Sequence, residues 1–242
     1  MLFVLIGFFA TFIGTIVGVG GGFIIRPLLN VVGIAKGLAS FTSSLSVFTM
    51  SLTNLIILKR QGKEIDFKNI IFVGIGAATG ALIGGSLVPK VTTEFINQAY
   101  LVAIFIMFAS VVVRGKVKIE PVKNPLIKIV LGMMCGTLSS FFGIGGGPFL
   151  MSVLLIFFDL NPKDAAIQSV LITMLSTSSS LISYTTSGYL DFSLAIYCVP
   201  AAVLGGIVGR KATEKISNKT VRYSFYVVLI AIFAVQCYTV FF

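Results

Sequence analysis

Apolar residues run in ten stretches along the chain, at 2–19, 23–35, 38–58, 69–88, 95–113, 126–143, 148–158, 165–186, 192–209 and 221–241. Most are close to the roughly 20 residues that carry an α-helix across about 30 Å of hydrocarbon. The second and seventh are short: at 1.5 Å per residue they cover only about 16–20 Å, so each reads as a half-helix behind a glycine break. The longest polar connections have a dozen or so residues, which leaves no room for a soluble domain. The pattern predicts an all-α polytopic membrane protein. The first stretch lacks a basic leading region and a clear cleavage site, so it is read as part of the fold and not as a signal peptide.

One signature occurs twice. Gly18-Val19-Gly20-Gly21-Gly22-Phe23 recurs as Gly143-Ile144-Gly145-Gly146-Gly147-Pro148, 125 residues later. At the same offset Gly7 matches Gly132, Ser44 matches Ser169, Asp66-Phe67 matches Asp191-Phe192, and Gly80 and Gly84 match Gly205 and Gly209. A single offset held over a hundred residues predicts duplication, with a first repeat at 1–125 and a second at 126–242, together forming one transmembrane domain.

Basic residues orient the halves. If each glycine-broken stretch crossed the bilayer once, the 18 Lys and Arg would divide nine against nine. If each break is instead the tip of a hairpin, the loops at 59–69, 114–128 and 210–222 join Lys163 on one side with 15 basic residues, against Lys36 and Lys90 opposite, with Arg26 inside the membrane. The second division is what the positive-inside rule requires. It predicts inverted repeats, each a glycine-broken helical hairpin plus three transmembrane helices, with both chain ends outside.

Composition narrows the chemistry. The chain is 57% hydrophobic and 11% charged, with a mean hydropathy of +1.05, whereas a soluble domain is about 25% charged. The net charge of +10 therefore belongs to basic loops facing a membrane surface, and no nucleic-acid partner is expected. There is no His, and Cys135, Cys198 and Cys237 lie in apolar runs without metal spacing, so no metal and no cofactor are expected. All eight acidic residues lie in or beside loops, which argues against a cation channel or a carboxylate-driven pump. Asp66 and Asp191 read as charges at helix N-termini.

The glycine breaks favour the opposite sign of ligand. Glycine admits positive φ and close approach of backbone N–H groups, and a helix N-terminus adds partial positive charge. Gly20, Gly21, Gly22 and Phe23, with Gly145, Gly146 and Gly147, are therefore candidate ligands for an anion near the midplane. Tight packing is the other use of glycine in membranes, and it is the reading for Gly76, Gly80, Gly84, Gly205 and Gly209. Arg26 is the one basic residue embedded in an apolar run away from any loop. It would either grip an oxyanion with two nitrogens or anchor at an interface. The third run of each half is rich in hydroxyls and amides. Ser43, Ser44, Gln168, Ser169 and Thr173 are the candidates there, because neutral donors can replace the water shell of an anion. Helix–helix hydrogen bonding competes for the same groups.

These motifs, in this order, resemble the sulfite exporter TauE/SafE family over essentially the whole chain. Gly18-Val19-Gly20-Gly21-Gly22-Phe23-Ile24-Ile25-Arg26-Pro27-Leu28 carries the family's G-x-G-G-G and P-x-L pattern in full. The second copy departs from it, with Ser152-Val153 in place of Pro-Leu and its proline early, at Pro148. The T-S-L motif stands altered as Ser43-Ser44-Leu45 and Gln168-Ser169-Val170. The turn before the fourth helix stands as Gly62-Lys63-Glu64-Ile65-Asp66-Phe67 and Gly188-Tyr189-Leu190-Asp191-Phe192. The resemblance implies a multi-pass protein of the cytoplasmic membrane that exports a small sulfur-containing oxyanion by alternating access. Import of sulfate or thiosulfate, carriage of a carboxylate, and a membrane scaffold are the alternatives. An intramembrane enzyme is not expected, since the serines have no evident base. The partners are then the substrate anion and the lipid bilayer, and a homodimer is compatible with the sequence.

Overall fold

A computed structural model describes residues 1–114 and 120–241; Lys116 and Lys118 of the basic loop lie outside them. The described residues form ten α-helices, one for each apolar run: α1 (Leu2–Val17), α2 (Gly22–Val31), α3 (Lys36–Arg60), α4 (Phe67–Leu87), α5 (Thr93–Arg114), α6 (Pro125–Phe141), α7 (Gly147–Phe157), α8 (Pro162–Thr186), α9 (Ala195–Lys215) and α10 (Asn218–Phe241). Five of them, α3, α4, α8, α9 and α10, are long and apolar enough to cross a membrane. The half-helices α2 and α7 have 10 and 11 residues.

Local chemistry explains most of the ends. Asn124 accepts from the Leu126 amide ahead of Pro125, and Asn161 accepts from the Asp164 amide ahead of Pro162, so α6 and α8 each start with a side-chain cap and a proline. Asp66 caps α4 through the Asn69 amide, and the Asn69 side chain holds its carboxyl below the usual range. Asp191 does not cap α9, whose first residue is Ala195; it accepts instead from the Ser193 amide inside the turn. Pro27 lies within α2, where its missing N–H leaves the Phe23 carbonyl without a helical donor. The hydroxyl of Tyr100, on α5, donates to that carbonyl at 3.4 Å.

Two glycine seams bind the halves to each other. A Cβ at Gly76, Gly80 or Gly84 of α4 would sit 2.0–2.1 Å from the carbonyls of Ile129, Met133 and Thr137 on α6. On the other seam, Gly205 and Gly209 of α9 press on the carbonyls of Phe8 and Phe12 of α1. The packing reading of these glycines holds. The two seams are counterparts, each joining the fourth helix of one half to the first helix of the other.

Two pairs of matching helices, α3 with α8 and α5 with α10, pack antiparallel. The start of α3 meets the turn after α8, where Gly37 abuts the Tyr189 ring, and the turn after α3 meets the start of α8, where the Asp66 amide donates to Gln168 Oε1 at 3.0 Å. Likewise Gln236, late in α10, donates to the Asn97 carbonyl, early in α5. The basic groups sort accordingly. Lys63, Lys163 and Arg210 line one cavity, and Lys123 and Lys128 line another with Asp66, so these segments share one end of the bundle. At the opposite end Lys36 Nζ donates to the Val91 carbonyl, beside Lys90. Lys63 and Lys163, which single crossings of the glycine-broken stretches would part, line the same cavity. Two of the loop cations are in fact helical and buried: Lys128, bonded to Asn69 Oδ1, and Arg210.

Candidate functional site

The two glycine breaks meet at the middle of α3 and α8. Val47 of α3 touches both: its Cγ1 would lie 3.4 Å from a Cβ at Gly20 and 3.0 Å from one at Gly145. Thr173 and Thr177 of α8 flank the same two glycines. Gly18 closes α1 with φ 79°, and its amide donates back to the Gly14 and Thr15 carbonyls; Gly143 closes α6 in the same left-handed region, at φ 66°.

The breaks pack directly on each other. A Cβ at Gly22, the first residue of α2, would sit 2.4 Å from the Ile144 carbonyl oxygen, and one at Gly147, the first residue of α7, 1.3 Å from that of Val19. A carbonyl of each break thus packs against the first residue of the opposite half-helix. Gly20, Gly145 and Gly146 take positive φ, but Gly21 does not, at φ −80°. At Gly21 the constraint is contact, since its Cβ position lies 2.3 Å from Thr11 Cγ2.

Open space lies to one side of this junction. A cavity of about 20 Å³ is lined by Gly18, Gly20, Ser169 and Thr173, together with Thr15, Ser51, Asn54 and Arg210. It has room for about one water-sized group. Of the residues proposed from sequence, Gly20, Ser169 and Thr173 border it. Gly21, Gly22, Gly145, Gly146 and Gly147 belong to the packed junction, as does Phe23, fully buried on the Tyr100 ring. Ser43 Oγ donates to the Gly22 carbonyl and Ser169 Oγ to the Gly18 carbonyl, so both serines fasten the breaks to the long helices. Gln168 is spent on the Asp66 turn.

Arg26 lies on the other side of the junction. It is fully buried, which rules out an interfacial anchor, and its Nη1 donates to Asn97 Oδ1 at 3.3 Å. Among the described residues Nε and Nη2 have no hydrogen-bond partner, and the hydroxyls of Ser40, Ser44 and Ser140 gather about that of Tyr184. Tyr184 stands among them and donates to the Ser140 carbonyl. Two residues of this region were not singled out in the sequence: Asn97, in a helix that reads as uniformly apolar, and Tyr184, one of seven tyrosines without a distinguishing pattern.

The sequence profile of the family described as sulfite exporter TauE/SafE matches residues 3–235. The chain is 25% identical to the probable membrane transporter protein YunE of Bacillus subtilis, over 96% of this chain and 95% of that one. It is 29% identical to a probable membrane transporter protein of Methanocaldococcus jannaschii, over 91% and 89%. It is 23% identical to the probable sulfite/organosulfonate exporter TauE of Cupriavidus necator, over 92% and 87%. No solved structure matches the chain.

Proposed function

The chain belongs to the sulfite exporter TauE/SafE family, and from that premise we propose that this multi-pass membrane transporter moves a small sulfur-containing oxyanion, sulfite or a sulfonate, outward by alternating access about the glycine junction. The observation that carries the reading is the meeting of two glycine breaks, each at the N-terminus of a half-helix, at the middle of two antiparallel 25-residue helices. Broken helices at mid-depth are where transporters place their substrate, because backbone there can line a cavity without facing lipid.

The antiparallel run of α3 against α8 supports an inverted repeat, with residues 1–125 and 126–242 as its halves. The gathering of basic groups at one end supports that end as the cytoplasmic one. The packed junction then acts as the barrier. Opening on one side would separate the α2 and α7 N-termini from the Ile144 and Val19 carbonyls that now pack against them, and an oxyanion would take the place of those carbonyls with the candidate residues Gly20 to Phe23, Gly145 to Gly147, Ser43, Ser44, Gln168, Ser169, Thr173 and Arg26 around it. Outward movement of an anion runs down an inside-negative potential and needs no coupled ion.

Proteoliposome flux tests this. Labelled sulfite or a sulfonate should leave vesicles faster when the interior is made negative, and sulfate and lactate should compete weakly. Transport of a cation, or of lactate in preference to every sulfur oxyanion, would overturn the reading.

A further inference from the structure

Arg210 has a position that no motif marks. The last third of α9 is drawn against α1 and α3 by small residues: Gly209 packs on the Phe12 carbonyl and Thr15, and Gly206 on Met50 and Asn54. The helix therefore carries Arg210 inward, to 3% exposure, although a charge so near a helix end would ordinarily reach for water. Among the described residues its Nε and Nη2 have no hydrogen-bond partner. Glu214, one turn on, is the carboxylate that bears on it electrostatically.

Two cavities have Arg210 in their walls. The inner one, of about 20 Å³, reaches Gly18 and Gly20 of the first break. The outer one, of about 120 Å³, has Lys63, Lys163, Gln61, Thr213 and Glu214 in its wall. Arg210 is the residue common to both linings. A buried guanidinium without full pairing is costly, and a planar fork of free donors fits two oxygens of one anion. The lysines at the mouth outnumber the single carboxylate, and Lys163 Nζ is held at 3.4 Å from the Glu214 main-chain carbonyl, on the cavity side of α9.

We propose that Arg210 is a second anion-binding residue: it binds a free, small oxyanion in the outer cavity, on the basic-loop side of the glycine junction, and closes the way to the inner cavity. The inner space holds one water-sized group, so in this conformation the anion sits on the outer face of the guanidinium. The site rests on the reading that the chain carries small oxyanions. It adds a station that the glycine motif does not contain.

The test uses the full chain in detergent. Sulfite, thiosulfate and sulfate are titrated calorimetrically into the native protein and into Arg210→Gln and Arg210→Lys, each variant first checked by thermal unfolding. The Gln variant should bind at least about tenfold more weakly, as loss of a charged hydrogen bond requires, and Lys should recover part of the loss. A second readout needs no substrate. With Cys135, Cys198 and Cys237 changed to Ser and Ile167→Cys in the wall of the outer cavity, a sulfonate-bearing methanethiosulfonate should react faster than a trimethylammonium one, and Arg210→Gln should remove that preference. If the native protein binds none of the three oxyanions yet the reagent preference depends on Arg210, the site stands and the sulfur-oxyanion reading falls. If the oxyanions bind with affinity unchanged in Arg210→Gln, or the reagent preference survives there, the site falls and the transport reading stands.

Discussion

The first and second glycine breaks share much of their backbone, parting at Gly21 (φ −80°) and its match Gly146 (φ 95°), and differ in their charge. Both follow a helix that ends at a left-handed glycine, both start a half-helix of about three turns, and both rest on Val47. Around the first lies a cavity with Thr15, Asn54 and Arg210. The position matching Arg210 in the other half is Gly85, packed on Ser183 and Ser140, so the equivalent space is closed. The position matching Arg26 is Met151, fully buried. Each buried arginine therefore occurs in one half only, and the two sit on opposite sides of the junction: Arg26 against α5 near the Lys36 end, Arg210 near Lys63 and Lys163. In the proposed duplication the glycine breaks are what the two halves share, and buried charge, present once on each side, is where they differ. A transporter that must open two ways needs the symmetry in its backbone, not in its ligands.

The strongest way to break this comparison is at the junction. Gly147→Val drives its Cβ to 1.3 Å from the Val19 carbonyl, and Gly22→Val to 2.4 Å from that of Ile144. Both should abolish transport, and Gly147→Val should also cost several kcal/mol of stability, more than its mate, because backbone and not side chain must move. Yield in detergent and thermal unfolding measure this; equal, mild effects would mean that the breaks do not bear on each other. Arg26→Met installs the residue of the matching position and should weaken oxyanion affinity by roughly 1.5–3 kcal/mol, with Arg26→Lys recovering part of it. Unchanged affinity by equilibrium binding would make Arg26 a structural partner of Asn97. Smallest is the serine pair. Ser169→Ala loses the bond to the Gly18 carbonyl and should destabilise by about 0.5–1.5 kcal/mol, whereas Ser44, its match, meets the Tyr184 hydroxyl instead, and its Ala variant should shift unfolding less. Equal shifts in thermal unfolding would contradict the asymmetry.

Much of the bundle was legible because hydropathy and glycine spacing report on backbone needs. Each apolar run became a helix, and the short runs became the half-helices α2 and α7. The glycines of α4 and α9 became seams because only a missing Cβ lets two helix backbones approach so closely. Arg210 and Lys128 were not legible as buried groups. A charge at the edge of an apolar run looks like a loop residue, and whether the helix continues past it depends on a neighbour, here α1 for Arg210 and Asn69 for Lys128. Gln168 and Ser43 were legible as interior polar groups, but nothing local says that a turn amide and the first carbonyl of α2 would claim them. The negative φ of Gly21 has the same origin, since Thr11 and not the turn makes that glycine necessary.

The inverted repeat is the central claim, and Lys63 and Gly188 test it most directly because they occupy matching positions in the two halves. Single cysteines at Lys63 and Gly188, in a background without Cys135, Cys198 and Cys237, would be labelled in intact cells with a membrane-impermeant maleimide, before and after permeabilisation. The cysteine at position 188 should react in intact cells and that at position 63 only after permeabilisation. Labelling of both from the same side would place the two halves in parallel and contradict the account.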